Sequence, residues 1–366
     1  MNIENIVKLL SALNTGGEQS MTSFNLASEM VDSIDFDWND PTKKILDPAC
    51  GSGMFLLACA NKLCDYGHTP KHIVGKMLHG IDIDEVQVLT ARRVLQLFCD
   101  VDSNVEMKNS LQGNNMKYDL IIGNPPYQST ICGVKLYPKF IEFAVDRVKD
   151  GGIVSYLTPP SGLLKGTILG EPTPLLDLLT SEGCLHHIDL TAGDSFKVGS
   201  HICAWSWTKG KRRGPIKLIT HDYEYTMPVE ELYFLPPKFD EVEHGLYRKI
   251  VSNTKGTVLE YHRNSTTHCE ENDYWAMRFG YSYISKGKST ERDQSNSFKS
   301  TRENVKFFKS DVGLWLLNYL ARHDSYKPHL MLNGLIIDNG MKLNQKEKKM
   351  LADTKETYER NAWDVQ

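Results

Sequence analysis

The strongest constraint on this chain is the alternation of short apolar runs with helical stretches through its first 160 or so residues, where two of the runs end in conspicuous turns. Lys44-Ile45-Leu46 reads as a short buried strand entering Asp47-Pro48-Ala49-Cys50-Gly51-Ser52-Gly53, after which MFLLACANKL has the apolar pattern of a helix. The run from Met77 to Ile81 ends at Asp82, and residues 84–98 form an amphipathic helix. Tyr118 to Gly123 is a further buried strand, and it delivers Asn124-Pro125-Pro126-Tyr127 at its carboxyl end. A helix from about Pro138 to Val148 and a strand from Gly152 to Leu157 follow. Repeated strand–helix units predict an α/β fold with a Rossmann-like, doubly wound parallel sheet, whose ligands bind beyond the carboxyl ends of the strands. Both conspicuous segments sit at such ends.

Two short helices are expected ahead of this pattern, one carrying Ile6, Leu9, Leu10 and Leu13, the other Leu26, Met30, Val31 and Ile34. Beyond about residue 210 the strand–helix rhythm is lost, and the basic segment KGKRRGP (209–215) marks a shift in composition. A sheet domain over 1–210 and a second, smaller C-terminal domain over 211–366 are therefore predicted, the latter with helices near 311–323 and 341–363.

Composition narrows the class. With 40% hydrophobic and 24% charged residues the chain has the means to build a core and little room for disorder. No stretch approaches the roughly 20 apolar residues of a membrane span, and MNIENIVKLL is not the basic-then-apolar start of a signal peptide, so no membrane contact and a cytoplasmic location are expected. The eight cysteines form no CxxC pair and read as reduced thiols. The twelve histidines show no HExxH spacing, and no metal is expected. Residues 1–206 hold 16 Lys and Arg against 24 Asp and Glu, whereas 207–366 hold 26 against 22, so a polyanion would be gripped mainly by the second part. Lys211, Arg212, Arg213, Lys286, Lys288, Arg292 and Lys299 are its candidate contacts, although the stretch 285–310 reads equally well as a solvated loop.

The two turns carry the chemistry. Gly51, Ser52 and Gly53 let backbone approach a ligand closely, yet the loop lacks the GK[ST] ending of a phosphate loop and begins at Asp47, which would repel a triphosphate. A cationic or zwitterionic ligand is the better fit. Asp82 stands where Rossmann-like folds bind the ribose hydroxyls of an adenosine-containing cofactor, with Ile83 beside it to pack on the adenine. Taken singly, the glycines could be a plain strand–helix turn and Asp82 a helix cap. In Asn124-Pro125-Pro126-Tyr127 the Asn124 side-chain oxygen and the Pro125 carbonyl are two acceptors on a stiffened turn, and Tyr127 offers a flat face. Such acceptors suit an aromatic amino group, a poor nucleophile whose lone pair is delocalised into its ring. The tetrapeptide alone could be only a rigid turn.

Over most of the first 210 residues the chain resembles the γ-class N6-adenine DNA methyltransferases, which include restriction-modification enzymes. The likeness rests on DPACGSG, NPPY and their order, with GEQSMTSFNLASEMV (17–31) similar to the family's segment that folds over the cofactor. It implies S-adenosylmethionine as cofactor, held by Thr22, Asp47, Pro48, Ala49, Gly51, Gly53, Asp82, Ile83 and Asn109. Ser23 replaces the family's usual Pro, and Asn109 its usual Asp. The likeness further implies methylation of an adenine flipped out of double-stranded DNA and stacked on Tyr127 and, through GDSFKVGSHICAWSWTK, on Phe196, which reads equally as a core aromatic. A target-recognition role for the second domain, a cognate restriction endonuclease and a monomer complete that picture. Amino-group methylation of RNA or of protein glutamine, and a DNA-binding specificity or scaffold subunit, are the alternatives.

Overall fold

The computed structural model describes residues 3–13, 22–113, 115–128, 135–163, 174–196, 202–210, 214–221, 223–229, 232, 240–251, 253–259, 261–262, 274–277, 284–285, 296–299, 302–308, 310–321 and 335–362. They fall into two compact units, the first comprising Met1–Gly162 and Pro174–Ile219, the second Leu163–Thr173 and Thr220–Gln366.

The first unit is the expected α/β sheet. Its elements begin with α1 (Ile3–Leu13), α2 (Phe24–Asp32), β1 (Ile45–Asp47) and α3 (Met54–Asp65), then α4 (Pro70–His72), a single turn that runs through a π-turn into β2 (Leu78–Asp82). α5 (Glu85–Phe98), β3 (Asn104–Met107), β4 (Tyr118–Gly123), α6 (Tyr137–Arg147) and β5 (Val148–Thr158) follow. α7 (Pro174–Glu182), β6 (Gly183–Asp189), β7 (Cys203–Lys209) and β8 (Ile216–Ile219) complete it. The strand order in this unit is β3-β2-β1-β4-β5-β7-β6-β8. β3, β2, β1, β4 and β5 are mutually parallel, whereas β7 runs antiparallel to both β5 and β6.

Burial explains why these segments take these forms. Every residue of β4 is buried, as expected of a strand covered on both faces. Ile45, Leu120, Ile122 and Ile153 share one core cluster with Leu26, Met30 and Val31 of α2 and Phe55, Leu56 and Cys59 of α3. The period of two along a strand turns Leu46, Ile121 and Val154 to the opposite face. α3 is apolar nearly all round because α1 and α5 pack on it as well, through Ile6, Met54, Leu57 and Val94. Ser23 caps α2, its hydroxyl accepting from Leu26 N at 3.2 Å. A serine at this place gives up a proline's rigidity and gains a cap.

At the amino edge of the sheet Asp119 gathers three elements. Its carboxylate accepts from Lys44 N at 2.9 Å and from Lys149 Nζ at 2.8 Å, with Lys43 Nζ at 3.6 Å. The far side of the sheet is closed by two fully buried tryptophans of β7. Trp205 Nε1 donates to Thr158 Oγ1 at 2.9 Å, and Trp207 Nε1 donates to the carbonyl of Leu179 in α7 at 2.6 Å. Gly183 admits the Trp207 ring, since a β-carbon there would lie 2.5 Å from it.

The second unit opens with β9 (Glu224–Met227) and α8 (Glu241–Val251), which precede the short strands β10 (Thr257–Val258), β11 (Tyr261–His262), β12 (Tyr274–Met277), β13 (Ile284–Ser285) and β14 (Asn296–Lys299). Then come α9 (Arg302–Phe308), α10 (Asp311–Ala321), β15 (Ile336–Ile337) and a last helix, α11 (Gln345–Ala362). The strands form an antiparallel sheet ordered β11-β14-β12-β13 and a separate β10-β15 pair. Asn344 and Glu347 cap α11 reciprocally, at 2.8 and 2.7 Å, and the buried Glu347 carboxylate also pairs with Lys249 Nζ of α8 at 2.6 Å. Among the described residues no helix is long and apolar enough to cross a membrane.

Replacing Trp207 by Ala is expected to cost about 3–5 kcal/mol. Denaturant unfolding followed by tryptophan fluorescence measures this, and a loss under about 1 kcal/mol would show that the indole is not the support described here.

Candidate active site

The carboxyl ends of β1, β2 and β4 bring Asp47, Asp82 and Asn124 to one edge of the sheet. Asp47 is 1% exposed and its Oδ1 accepts from Ala49 N at 3.1 Å, bending the chain into the glycine turn. Its carboxyl group lies against the end of β4, where a β-carbon on Gly123 would stand 2.6 Å from Oδ1. Burial raises the Asp47 pKa to about 8, and the neighbouring charge of Asp82 adds to the rise.

The glycine turn needs its glycines. Gly51 and Gly53 have φ of +50° and +87°, and a β-carbon on Gly53 would press on Ala91 of α5 at 3.2 Å. Asp82 secures the turn from the next strand: Oδ2 accepts from Gly51 N at 2.8 Å and Oδ1 from Asp84 N at 2.9 Å. Cys50 N donates to the carbonyl of Ile81 at 2.9 Å, a second tie to β2. The helix cap of α5 is Asp84, which accepts from Val86 N and Gln87 N, so Asp82 does not have that job. Next to it the Ile83 side chain is 73% exposed. Asn109, just past β3, accepts from Leu111 N at 3.0 Å, and Ser110 donates its hydroxyl to the carbonyl of Pro48, which holds that segment to the turn.

In the tetrapeptide Pro125 is buried, Pro126 exposed and Tyr127 half-buried. Tyr127 Oη donates to Asn124 Oδ1 at 2.8 Å, and Asn124 Nδ2 donates to Thr22 Oγ1 at 3.1 Å. Burial pushes the Tyr127 phenol up, with Cys203 adding to the rise, so it keeps its proton. Phe196 is 7% exposed and belongs to the core cluster with Ala192, Ile202 and Ala204, against which Tyr127 packs. The Phe196 side chain is therefore buried in the core cluster.

Several groups escaped the sequence reading. Gly123 is needed for the fit of Asp47, and its place directly before Asn124 was a visible signal. Ser110 reaches Pro48 across 62 residues, for which no local pattern exists. Tyr156, opposite Gly123 in the register, has a fully buried hydroxyl without a partner among the described residues, and burial beside Asp47 pushes its ionisation far up. The thiols of Cys50, Cys59 and Cys203 are pushed up by burial and are poor nucleophiles. Among the described residues no group of three or more His, Cys, Asp or Glu could hold a metal ion. Lys211, Arg212, Arg213, Lys286, Lys288 and Arg292 lie outside the described residues, and Lys299 is on β14.

Comparison with known proteins finds a family model for part of the chain. Residues 18–169 match the family described as RMKL-like, methyltransferase domain. No curated protein sequence matches the chain. Among solved structures, the DNA-bound Type ISP restriction-modification enzyme LlaBIII superposes with a TM-score of 0.52 and 12% identity, over 76% of this chain and 27% of that one. A protein described as a modification subunit of a type I restriction enzyme from Vibrio vulnificus gives 0.47 and 16%, over 59% of this chain and 49% of that one. One described as a class I S-adenosylmethionine-dependent methyltransferase from Listeria monocytogenes gives 0.43 and 18%, over 57% and 69%. The chain thus spans about half the length of the Vibrio subunit. At 12% identity the likeness to LlaBIII speaks for the fold alone. The first unit is an α/β fold with a large, mostly parallel sheet, and residues 18–169 match the methyltransferase-domain model.

The raised pKa of Asp47 has a pH signature. A carboxyl group that titrates near 4 when unfolded and near 8 when folded binds the extra proton in the folded state between those values, so stability falls as pH rises from about 4 to about 8. Thermal midpoints of the wild type and of Asp47→Asn across that range are expected to diverge, the wild type losing ground toward alkaline pH. Parallel curves would show that Asp47 titrates normally.

Proposed function

We propose that this protein transfers a methyl group from S-adenosylmethionine to the exocyclic amino group of adenine in double-stranded DNA. The observation that carries this reading is the placement of Asn124-Pro125-Pro126-Tyr127 at the end of β4, beside a buried carboxyl group and a glycine turn at the end of the adjacent strand β1.

The residues present fit the cofactor. The positive-φ Gly51 and Gly53 leave bare backbone along the turn, and the Asp82 carboxylate, with Asp47 as a buried carboxyl group that a positive charge would help to ionise, favours a cation. Each oxygen of Asp82 already accepts one backbone N–H and retains a second lone pair for a ribose hydroxyl. Ile83 has the exposed apolar surface to cover an adenine, with Asn109 as a polar neighbour, and Pro48 and Ala49 supply backbone along the turn. S-adenosylmethionine, when bound, supplies an electrophilic methyl group on a sulfonium.

The protein's own work is to make an amino group reactive. Asn124 Oδ1 and the Pro125 carbonyl accept its two N–H bonds, which holds the nitrogen and draws its lone pair out of conjugation. Positioning and polarisation of this kind need no covalent intermediate. The Tyr127 ring receives the extruded base, offsetting a few kcal/mol of lost pairing and stacking, with Phe196 in the core cluster against which Tyr127 packs. The basic residues of the second part, Lys211, Arg212, Arg213, Lys286, Lys288, Arg292 and Lys299 among them, would grip phosphates. A role as the methylating component of a restriction-modification system, with a cognate endonuclease, follows from this substrate.

Asn124→Ala is expected to lower transfer of labelled methyl groups to DNA by about a hundredfold or more, the usual effect of removing a group that stabilises the transition state. Undiminished transfer would exclude this assignment. Sequencing the methylated bases in DNA from a host expressing the wild type would show both polymer and target site. Affinity for DNA should also fall steeply as salt rises, and a flat response would rule out the basic residues as phosphate contacts.

A further inference from the structure

The Asn124 amide is held at both ends by side chains distant from each other in sequence. Its Nδ2 donates to Thr22 Oγ1 at 3.1 Å, across 102 residues, while its Oδ1 accepts from Tyr127 Oη at 2.8 Å, three residues on. The direction of these bonds has a chemical basis. A phenolic hydroxyl is more acidic than an aliphatic one, hence the better donor and poorer acceptor, so Tyr127 takes the carbonyl end and Thr22 the NH₂ end. Ser23 anchors Thr22 in turn: it sits at φ −70° and ψ 154° and caps α2, whose Leu26, Ala27, Met30 and Val31 are buried in the core. Thr22 is thus fixed at the lip of a rigid helix.

The two bonds differ in what they do when an amine arrives. Tyr127 occupies the atom that the amine needs, and its hydroxyl stands in the free protein where an N–H would be received. Thr22 occupies the atom that the amine must not meet, because an amide turned by half a rotation would oppose donor to donor. The Pro125 carbonyl cannot correct such a rotation, since it belongs to the main chain.

Resting on the reading of amino-group methylation above, we infer that Thr22 is a positioning residue for Asn124, its hydroxyl determining which end of the amide faces the substrate amine. This role differs from the cofactor contact that the family likeness implies for the same residue. It makes Thr22 matter to the rate of transfer and not to the affinity for the methyl donor. A residue ahead of the first sheet strand thereby sets the polarity of a group that follows the fourth.

The test compares Thr22→Val, which keeps the shape and loses the acceptor, with Thr22→Ser, which keeps the hydroxyl, both in the full chain. Thr22→Val is expected to lower kcat for methyl transfer to DNA by about tenfold or more, the effect of about 1.4 kcal/mol of lost orientation. Its calorimetric Kd for S-adenosylmethionine should stay within about twofold of the wild type, and Thr22→Ser should recover most of the rate. A readout independent of turnover is the pair of Asn124 side-chain NH₂ signals in a nitrogen-15 spectrum, assigned by their loss in Asn124→Ala. These should move and exchange faster with water in Thr22→Val but not in Thr22→Ser. Weaker cofactor binding at unchanged kcat would overturn the inference in favour of a cofactor contact, and unchanged kcat with unchanged NH₂ signals would overturn it outright. If the wild type methylates no DNA, the substrate reading fails separately, and the NH₂ signals still decide whether Thr22 holds the amide.

Discussion

The removal of the Asp47 carboxyl group from water, between the ends of β1 and β4, is the constraint on which the rest of the site depends. A carboxyl group in that position needs a partner strand without a β-carbon, which Gly123 supplies, and a backbone donor, which Ala49 supplies. Both requirements draw neighbouring segments into fixed places. Ala49 begins the glycine turn, and Gly123 is followed at once by Asn124. The turn and the tetrapeptide are consequently positioned by the two sides of one buried group. Asp82 then completes the edge from β2, its two oxygens fastening the turn and the start of α5.

Charge at this edge is arranged against stability. Two acidic side chains stand at adjacent strand ends, one of them dry enough to hold its proton near neutral pH. Among the described residues no lysine or arginine pairs with Asp47 in the way that Lys43 and Lys149 attend Asp119 at the opposite edge. The contrast separates a structural carboxylate, satisfied by cations and backbone, from one held in a state that an incoming positive charge would relieve. Such unrelieved electrostatics are common where a fold reserves space for a ligand.

Much of the first unit was legible in the sequence because its signals are local. DPACGSG and NPPY each end a short apolar run, and the runs alternate with helical periodicity, so the sheet, its parallel sense and the edge bearing the site could all be derived. The antiparallel β7 between β5 and β6 was not, since Cys203–Lys209 alternates as any half-covered strand would and nothing local says which neighbour it takes. The bond from Asn124 to Thr22 was equally hidden, being a meeting of two polar side chains across the fold. Asp82 was read as a ribose ligand or a helix cap. The helix-cap alternative falls to Asp84, two residues later, while the two oxygens of Asp82 also fasten the glycine turn and the start of α5. Phe196 carried no mark to distinguish a stacking aromatic from a core one, and the structure buries it.

The order β5-β7-β6 has a consequence for how the chain acquires its shape. β6 is made before β7 but pairs with the sheet only through it, so until residue 209 is present the segment 183–189 has no inner neighbour and β5 ends the sheet as an open edge. The core cluster against which Tyr127 packs includes Phe196, Ile202 and Ala204 from that same late stretch. During synthesis the glycine turn could therefore take shape well before the support of the tetrapeptide's tyrosine exists. The first unit would become one cooperative body only when its second-to-last strand slides in between two already made.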